Sequence, residues 1–93
     1  MESDQKEKLW NITKHYGFDR QIEQAIEEAS EFILAAQKWK RFHGNNQYQN
    51  LIEETCDLII MMEEMRILLD PGWVDSSVAY KINREITRIE SES

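Results

Sequence analysis

The chain has 93 residues, 18 of them acidic and 11 basic, so its formal charge is -7, which argues against nucleic acid as a partner because phosphates are repelled. This length suffices for one domain, residues 1–93, with a core that is marginal unless subunits share surface. No apolar run approaches the roughly 20 residues of a membrane span, and the lone Cys56 with the polar N-terminus favours a reducing, cytoplasmic setting.

Apolar residues recur at helical spacing along the whole chain, and one Pro with three Gly is too few for a turn-rich β architecture. In chain order, Gly17 is placed to end the first helix in a left-handed conformation and Asp19 to cap the second. Segment 43–47 is predicted to be a loop, and Pro71 to break the third helix. The resulting prediction is an all-α fold with helices at about 4–15, 20–42, 48–69 and 75–90.

The second helix is apolar on more than one side. A second copy of the chain is expected to cover the side that carries Phe32, Trp39 and Phe42. The stripe predicted to face the core consists of Ile22, Ala25, Ile26, Ala29, Ile33 and Ala36.

The third helix is apolar in almost every direction, which predicts that it is buried. Cys56 is placed on its core side, and Trp10 of the first helix is assigned to the core. The fourth helix is predicted to pack through a stripe of Val78, Ile82, Ile86 and Ile89.

Two pairs of carboxylates lie one turn apart on these apolar helices, Glu28 with Glu31 and Glu54 with Asp57. If the helices pack antiparallel, the four side chains converge, and their repulsion is relieved by raised pKa values or by divalent cations. All the donors are hard oxygens, which favours Mg²⁺ or Mn²⁺. Because Mg²⁺ held by carboxylates keeps positions for phosphate oxygens, the natural substrate is a polyphosphate.

Such pairs also arise on ordinary solvated faces of an acidic chain. Here each pair lies near the middle of a long helix among apolar neighbours such as Phe32 and Leu58. Because charges in such surroundings need compensation, this position favours the metal interpretation.

The stretches IEEASEF and LIEETCDLII, which contain these residues, resemble the Glu-x-x-Glu and Glu-x-x-Asp motifs of MazG-type nucleotide pyrophosphohydrolases. The resemblance implies a MazG-like four-helix bundle completed by oligomerisation, as a homodimer or homotetramer. It implies that Glu28, Glu31, Glu54 and Asp57 are the catalytic residues and ligate Mg²⁺. It further implies hydrolysis of a nucleoside triphosphate to the monophosphate and pyrophosphate, in housekeeping of the nucleotide pool.

Four further residues are candidate substrate contacts. The stretch YKINREITRIE resembles, less specifically, a basic segment near the phosphates in some members of that family, which suggests Lys81 and Arg84. Lys38 lies seven residues beyond Glu31 on the same side of its helix and can reach a phosphate. Gln24 precedes Glu28 by one turn and can orient that carboxylate or touch the nucleotide. For each cationic residue the alternative is an ordinary surface position.

A non-catalytic helical protein-interaction module is the alternative function. In it the acidic pairs are exposed, and the apolar faces bind a partner. It predicts no metal-dependent change in stability. A calcium-binding helix pair is disfavoured because no loop carries the closely spaced Asp, Asn and Gly ligands of an EF-hand.

Overall fold

The structure is a computed structural model that describes residues 1–92, and within that range it contains α-helices and no strand. The helices are α1 (Ser3–Tyr16), α2 (Phe18–Arg41), α3 (Asn45–Leu68) and α4 (Pro71–Glu92). The predicted all-α class with four helices is therefore confirmed. None of the helices in this range combines the length and the apolar character needed to cross a membrane.

A single residue, Gly17, joins α1 to α2. Its φ of 87° and ψ of 169° lie in a backbone region open essentially to glycine, although not in the left-handed helical region that was predicted. Its N–H donates a 2.9 Å hydrogen bond to the carbonyl of Thr13 and so ends α1. The prediction that Asp19 caps α2 is wrong, because α2 begins at Phe18 and Asp19 lies inside the first turn.

The other two junctions are shorter than the sequence pattern predicts. Because α3 already begins at Asn45, only residues 42–44 connect it to α2, and the predicted loop 43–47 is wrong in its second half. Pro71 begins α4 and does not merely precede it, since its fixed φ and missing N–H suit the first helical position. Asp70 caps this helix: its Oδ1 accepts a 3.0 Å hydrogen bond from the N–H of Trp73.

The main core lies between α2 and α3, which pack as an antiparallel hairpin, and α1 packs across both. From α1, Leu9 and Thr13 are buried, and the Thr13 hydroxyl donates a 2.8 Å hydrogen bond to the carbonyl of Trp10. The side chains at the hairpin contact are Ala25, Met61 and Met65, with Ile22 and Leu68 packed against them. This core is small, as the length of the chain predicts.

The predicted core stripe of α2 is wrong in part. Ile26 and Ile33 are 62% and 56% exposed, whereas Ala25 and Ala35 are buried. The small alanines let α2 approach its neighbours closely, and the larger isoleucines lie on the outer side.

The prediction that α3 is buried on all sides is wrong for a single chain. Ile52, Ile59 and Met62 are each about half exposed, and Cys56 is exposed and not on the core side. Trp10, assigned to the core, is 50% exposed. Part of the apolar surface of α3 is therefore not covered within one chain.

Helix α4 packs only against α3, and none of its described residues, 71–92, is buried. An ion pair between Arg66 of α3 and Asp75 of α4 supports the junction. The four helices fit a bundle in which α4 is joined through α3 alone. The apolar stripe of α4 is exposed throughout: Val78, Ile82, Ile86 and Ile89.

Candidate functional site

The antiparallel hairpin sets the two acidic motifs opposite one another. Gln21 of α2 is bonded to Glu64 of α3. Glu28 lies seven residues after Gln21 on α2, and Asp57 lies seven residues before Glu64 on α3, so these two residues are at the same level of the hairpin. About one turn further along, Glu31 lies level with Glu54. The predicted antiparallel pairing of the motifs is therefore what the helices adopt.

The carboxylates converge as a consequence of this register. Glu28, Glu54 and Asp57 each offer an oxygen, and these oxygens all lie within 4.8 Å of one another. Glu31 is close enough to Glu54 to share a hydrogen bond with it, and the negative charge of Glu31 raises the pKa of Glu54. The two pairs thus meet across the hairpin, as predicted, with Glu28 and Glu54 half-buried and Glu31 and Asp57 exposed.

Two of the oxygens are buried without compensation. Glu28 Oε2 and Glu54 Oε2 have no hydrogen-bond partner within residues 1–92. A buried, unpartnered carboxylate oxygen is unfavourable unless a proton, a donor or a cation satisfies it. The donor set consists of carboxylates, which fits a hard divalent cation such as Mg²⁺ or Mn²⁺.

Burial raises the pKa of Glu28 above its usual value of 4.5, and the negative charges of Glu31, Asp57 and Glu27 raise it further. Gln24 acts in the opposite direction. Its Nε2 donates a 2.9 Å hydrogen bond to Glu28 Oε1, which lowers that pKa by favouring the ionised form. The sequence prediction that Gln24 can orient a ligand carboxylate agrees with this contact.

Burial likewise raises the pKa of Glu54. The charge of Glu31, its hydrogen bond and the charges of Asp57 and Glu28 raise it further. Glu54 has no counterpart of Gln24: Asn50, one turn earlier on α3, makes no hydrogen bond to it in the described part of the chain. Glu54 therefore lacks the amide hydrogen bond that favours the ionised form of Glu28.

The candidate cationic contacts are not joined to the carboxylates within one chain. Lys81 lines a groove beside Leu69 and Trp73 where α3 ends and α4 begins. Because Asp57 precedes Leu69 by twelve positions on α3, this groove is about 18 Å from it along the helix axis. The guanidinium of Arg84 lies 5.9 Å from the centre of the Tyr80 ring on the same helix.

Lys38 is exposed near the end of α2. It lies seven residues, or about 10 Å along the axis, beyond Glu31. Its position is thus compatible with the predicted contact to a phosphate and equally with an ordinary surface lysine.

Sequence reasoning did not identify Glu64. This side chain is only 2% exposed, and Gln21 Nε2 donates a 2.7 Å hydrogen bond to its Oε2. Burial raises the pKa of Glu64, while the bond from Gln21 lowers it. The available signal was the spacing of seven residues, which puts Glu64 on the same face as Asp57 and Gln21 on the same face as Glu28.

Comparison of the chain with protein-family models, with curated proteins and with solved structures finds no match. The resemblance to MazG-type enzymes therefore depends on the two acidic motifs in the sequence alone.

Proposed function

We propose that the chain is a Mg²⁺-dependent nucleoside triphosphate pyrophosphohydrolase, which cleaves NTP or dNTP with water to the monophosphate and pyrophosphate. The observation that carries the proposal is the approach of Glu28, Glu54 and Asp57, whose oxygens lie within 4.8 Å across two helices. A role in removing surplus or non-standard nucleotides agrees with the family that the motifs resemble.

The electrostatics of the cluster favour a cation over protons alone. Glu28 and Glu54 each have a buried oxygen without a partner, and burial together with the neighbouring carboxylates raises the pKa of both. Protons relieve this repulsion only where pH is low, whereas a divalent cation relieves it at neutral pH. A triphosphate adds about four negative charges, which carboxylates alone would repel, so more than one cation is expected with substrate.

The residues of the chain then have separate roles. Glu28, Glu54 and Asp57 hold the cation, Glu31 completes the set beside Glu54, and Gln24 keeps the Glu28 carboxylate in one orientation. Bound Mg²⁺ supplies polarisation of a phosphoryl group and a lower pKa for water.

We further propose that a second copy of the chain completes the protein. The apolar faces of α2, α3 and α4 include large side chains that are about half exposed in one chain, such as Ile33, Ile59 and Ile82, and such surfaces mark places where another chain binds. In such an assembly Lys81 and Arg84 would approach the carboxylates of a neighbouring chain, while Lys38, about 10 Å beyond Glu31 on the same helix, would contact a phosphate bound in its own chain. A homodimer or a homotetramer satisfies this proposal.

The experiment is release of pyrophosphate from a panel of ribo- and deoxynucleoside triphosphates, with Mg²⁺ and with EDTA. Glu54→Gln removes one charge from the cluster without changing the size of the side chain, and Glu53→Gln is its control, because Glu53 is the adjacent exposed glutamate. We expect Mg²⁺-dependent release in wild type and Glu53→Gln and a loss of at least about a hundredfold in Glu54→Gln. Absence of release from every nucleotide by folded wild type overturns the proposal.

The second candidate is the non-catalytic interaction module, and the observation in its favour is the exposure of Trp73 and Tyr80 on a helix with no buried residue. Thermal unfolding separates the two functions. The enzyme is stabilised by Mg²⁺ through its carboxylates, whereas the module has the same melting temperature with Mg²⁺ and with EDTA.

A further inference from the structure

A cleft of about 350 Å³ opens beside the carboxylate cluster, where α1 crosses the hairpin of α2 and α3. Its size is within the range of small-ligand pockets. Gln24 connects the two sites, because it lines the cleft and donates its hydrogen bond to Glu28. A molecule held by the carboxylates through a cation can therefore extend directly into the cleft.

The walls of the cleft combine apolar side chains, an aromatic ring and the charged side chain of Arg20. Ile12 and Tyr16 of α1 and Ile60 of α3 line it, and all three are 40% to 47% exposed in the free chain. The guanidinium of Arg20 lies 5.1 Å from the centre of the Tyr16 ring and supports that side chain. Such a wall suits a flat heteroaromatic group, which gains contact with the ring of tyrosine and with the isoleucines.

The floor of the cleft is polar. Gln21 and Glu64 line it and are only 4% and 2% exposed as residues. Their mutual bond uses Glu64 Oε2, and Oε1 has no hydrogen-bond partner in the part of the chain that the structure describes. Two buried side chains thus keep hydrogen-bonding capacity at the end of the cleft, which is how a site selects among similar ligands.

The distances agree with the dimensions of a nucleotide. Gln21 and Glu64 each lie seven residues from a member of the carboxylate cluster, Glu28 and Asp57, or about 10 Å along the helix axes. A nucleotide whose phosphates lie at the carboxylates projects its sugar and base over a comparable length.

We propose that this cleft binds the base of the nucleotide, with Glu64 and Gln21 bonding to its hydrogen-bonding edge and Tyr16 contacting its ring. The inference rests on the function proposed above and extends it from the phosphates to the base. Glu64 and Gln21 are specificity residues and take no part in hydrolysis itself.

The test compares wild type with Glu64→Leu and with the control Glu63→Leu. Glu63 precedes Glu64 on α3, pairs with Arg66 and does not line the cleft. For each protein, kcat/KM is measured with dATP, dCTP, dGTP and dTTP in Mg²⁺, and inorganic tripolyphosphate, which has no base, is measured as an inhibitor.

We expect wild type and Glu63→Leu to share one order of preference among the four bases. In Glu64→Leu the preferred base loses at least about tenfold relative to the others, as expected for a lost buried hydrogen bond, and inhibition by tripolyphosphate is unchanged. A uniform loss for all four bases, or equal preference for them in wild type, overturns the inference. Because the readout is a ratio, a lower folded fraction does not alter it.

A second variant tests the inference if Glu64→Leu does not fold. Tyr16→Leu changes a half-exposed residue, so folding is retained, and we expect a higher KM for every nucleotide with tripolyphosphate inhibition unaffected. An unchanged KM contradicts the inference.

If wild type hydrolyses nothing, the four nucleosides are titrated in EDTA and amide shifts of Tyr16, Gln21 and Glu64 are followed by NMR. If these residues shift in wild type and do not shift in Tyr16→Leu, the cleft binds a base although the protein does not carry out the proposed reaction. No shift at these residues excludes it.

Discussion

Gln24 and Glu28 lie one turn apart on α2, and the 2.9 Å hydrogen bond between them fixes one oxygen of a carboxylate whose other oxygen is buried without a partner in the described chain. The bonded oxygen is oriented, and the unbonded one is left for a cation. This division of roles within one carboxylate is the feature of the site that mutation can test most directly.

Replacing Gln24 with alanine should weaken the binding of Mn²⁺ or Mg²⁺ by about 10- to 100-fold, the usual effect of removing a group that orients a metal ligand. The pKa of Glu28 should also rise further, because the bond from Gln24 lowers it. Calorimetric titration with Mn²⁺ measures the affinity. Gln37→Ala, at an exposed position on the same helix, is the control and should bind as wild type does; equal affinity in both variants would contradict the role of Gln24.

In EDTA the protein should become less stable as pH rises. Burial raises the pKa of Glu28, Glu54 and Glu64 above 4.5, so the folded chain holds these protons more tightly than the unfolded chain does. The stabilisation is complete below pH 4.5 and is lost as pH rises through the higher folded pKa values. The melting temperature, followed by circular dichroism from about pH 5 to pH 8, should therefore fall.

Mg²⁺ should reduce this fall, since it neutralises Glu28 and Glu54, although not Glu64. Glu54→Gln in EDTA should melt higher than wild type near pH 8 and show a smaller slope, whereas Glu53→Gln, at an exposed glutamate, should show a smaller change. A wild-type melting temperature that is independent of both pH and Mg²⁺ argues against a strained carboxylate cluster.

The buried bond between Gln21 and Glu64 should contribute measurably to stability. Gln21→Ala leaves a buried carboxyl unpaired and should lower the free energy of unfolding by about 1 to 3 kcal/mol. The loss should be larger near pH 8 than near pH 5, because an ionised Glu64 needs the bond more than a neutral one does. Urea unfolding at both pH values measures it. Gln37→Ala should change the free energy by less than about 0.5 kcal/mol.

The apolar stripe of α4 should matter only in an assembly. Ile82 and Ile86 are 58% and 50% exposed in one chain, so an aspartate there should not destabilise a monomer. If a second copy covers them, each buried isoleucine contributes about 1.5 to 3 kcal/mol, and Ile86→Asp should shift sedimentation towards the monomer. Asn83→Asp introduces the same charge at a polar position of α4 and serves as control. Identical sedimentation of wild type and Ile86→Asp argues against burial of this stripe.

Gly17 and Gly72 should respond oppositely to alanine. Because Gly17 has a φ of 87°, Gly17→Ala strains the junction of α1 and α2 and should lower the free energy of unfolding by about 1 to 3 kcal/mol. Gly72 lies in the first turn of α4, where an added Cβ meets only Asp70 Oδ1 at 3.6 Å. Gly72→Ala should be neutral or stabilising by up to about 1 kcal/mol. Chemical unfolding measures the free energy of unfolding of both variants. Equal changes in the two would show that Gly17→Ala does not strain the backbone.

The helices and the meeting of the carboxylates could be predicted because they depend on local periodicity and on one antiparallel pairing. The side of each helix that meets its own chain could not. In α3 apolar residues point in almost every direction, so no stripe distinguishes contact with α2 from contact with another copy; Ile59 is half exposed and Met61 is buried. On α2 the buried residues are alanines, which let the helix approach its neighbours closely. Hydrophobicity alone would instead place Ile26 and Ile33 in the core, and both are exposed.

The first residue of a helix is hard to predict where one residue type is compatible with two positions. Pro71 cannot continue α3, which the sequence predicts, but it also suits the first position of α4, so this helix begins earlier than the predicted residue 75. Asp19 has the chemistry of a cap, but the positive φ of Gly17 lets α2 begin one residue earlier. For Glu64 the spacing of seven residues from Asp57 is the sole signal in the sequence, because a single glutamate in a helix with several others forms no motif.

The bond between Gln21 and Glu64 also bears on how many packings the chain can adopt. An α3 that is apolar in most directions offers few features that distinguish one register against α2 from another. A shift by one turn separates Glu64 from Gln21 and leaves a buried carboxyl without its donor, which disfavours that packing. We therefore expect this pair to act together with the apolar contact of Ala25, Met61 and Met65, which Glu64→Leu leaves in place, in favouring the register that brings Glu28 and Asp57 to the same level.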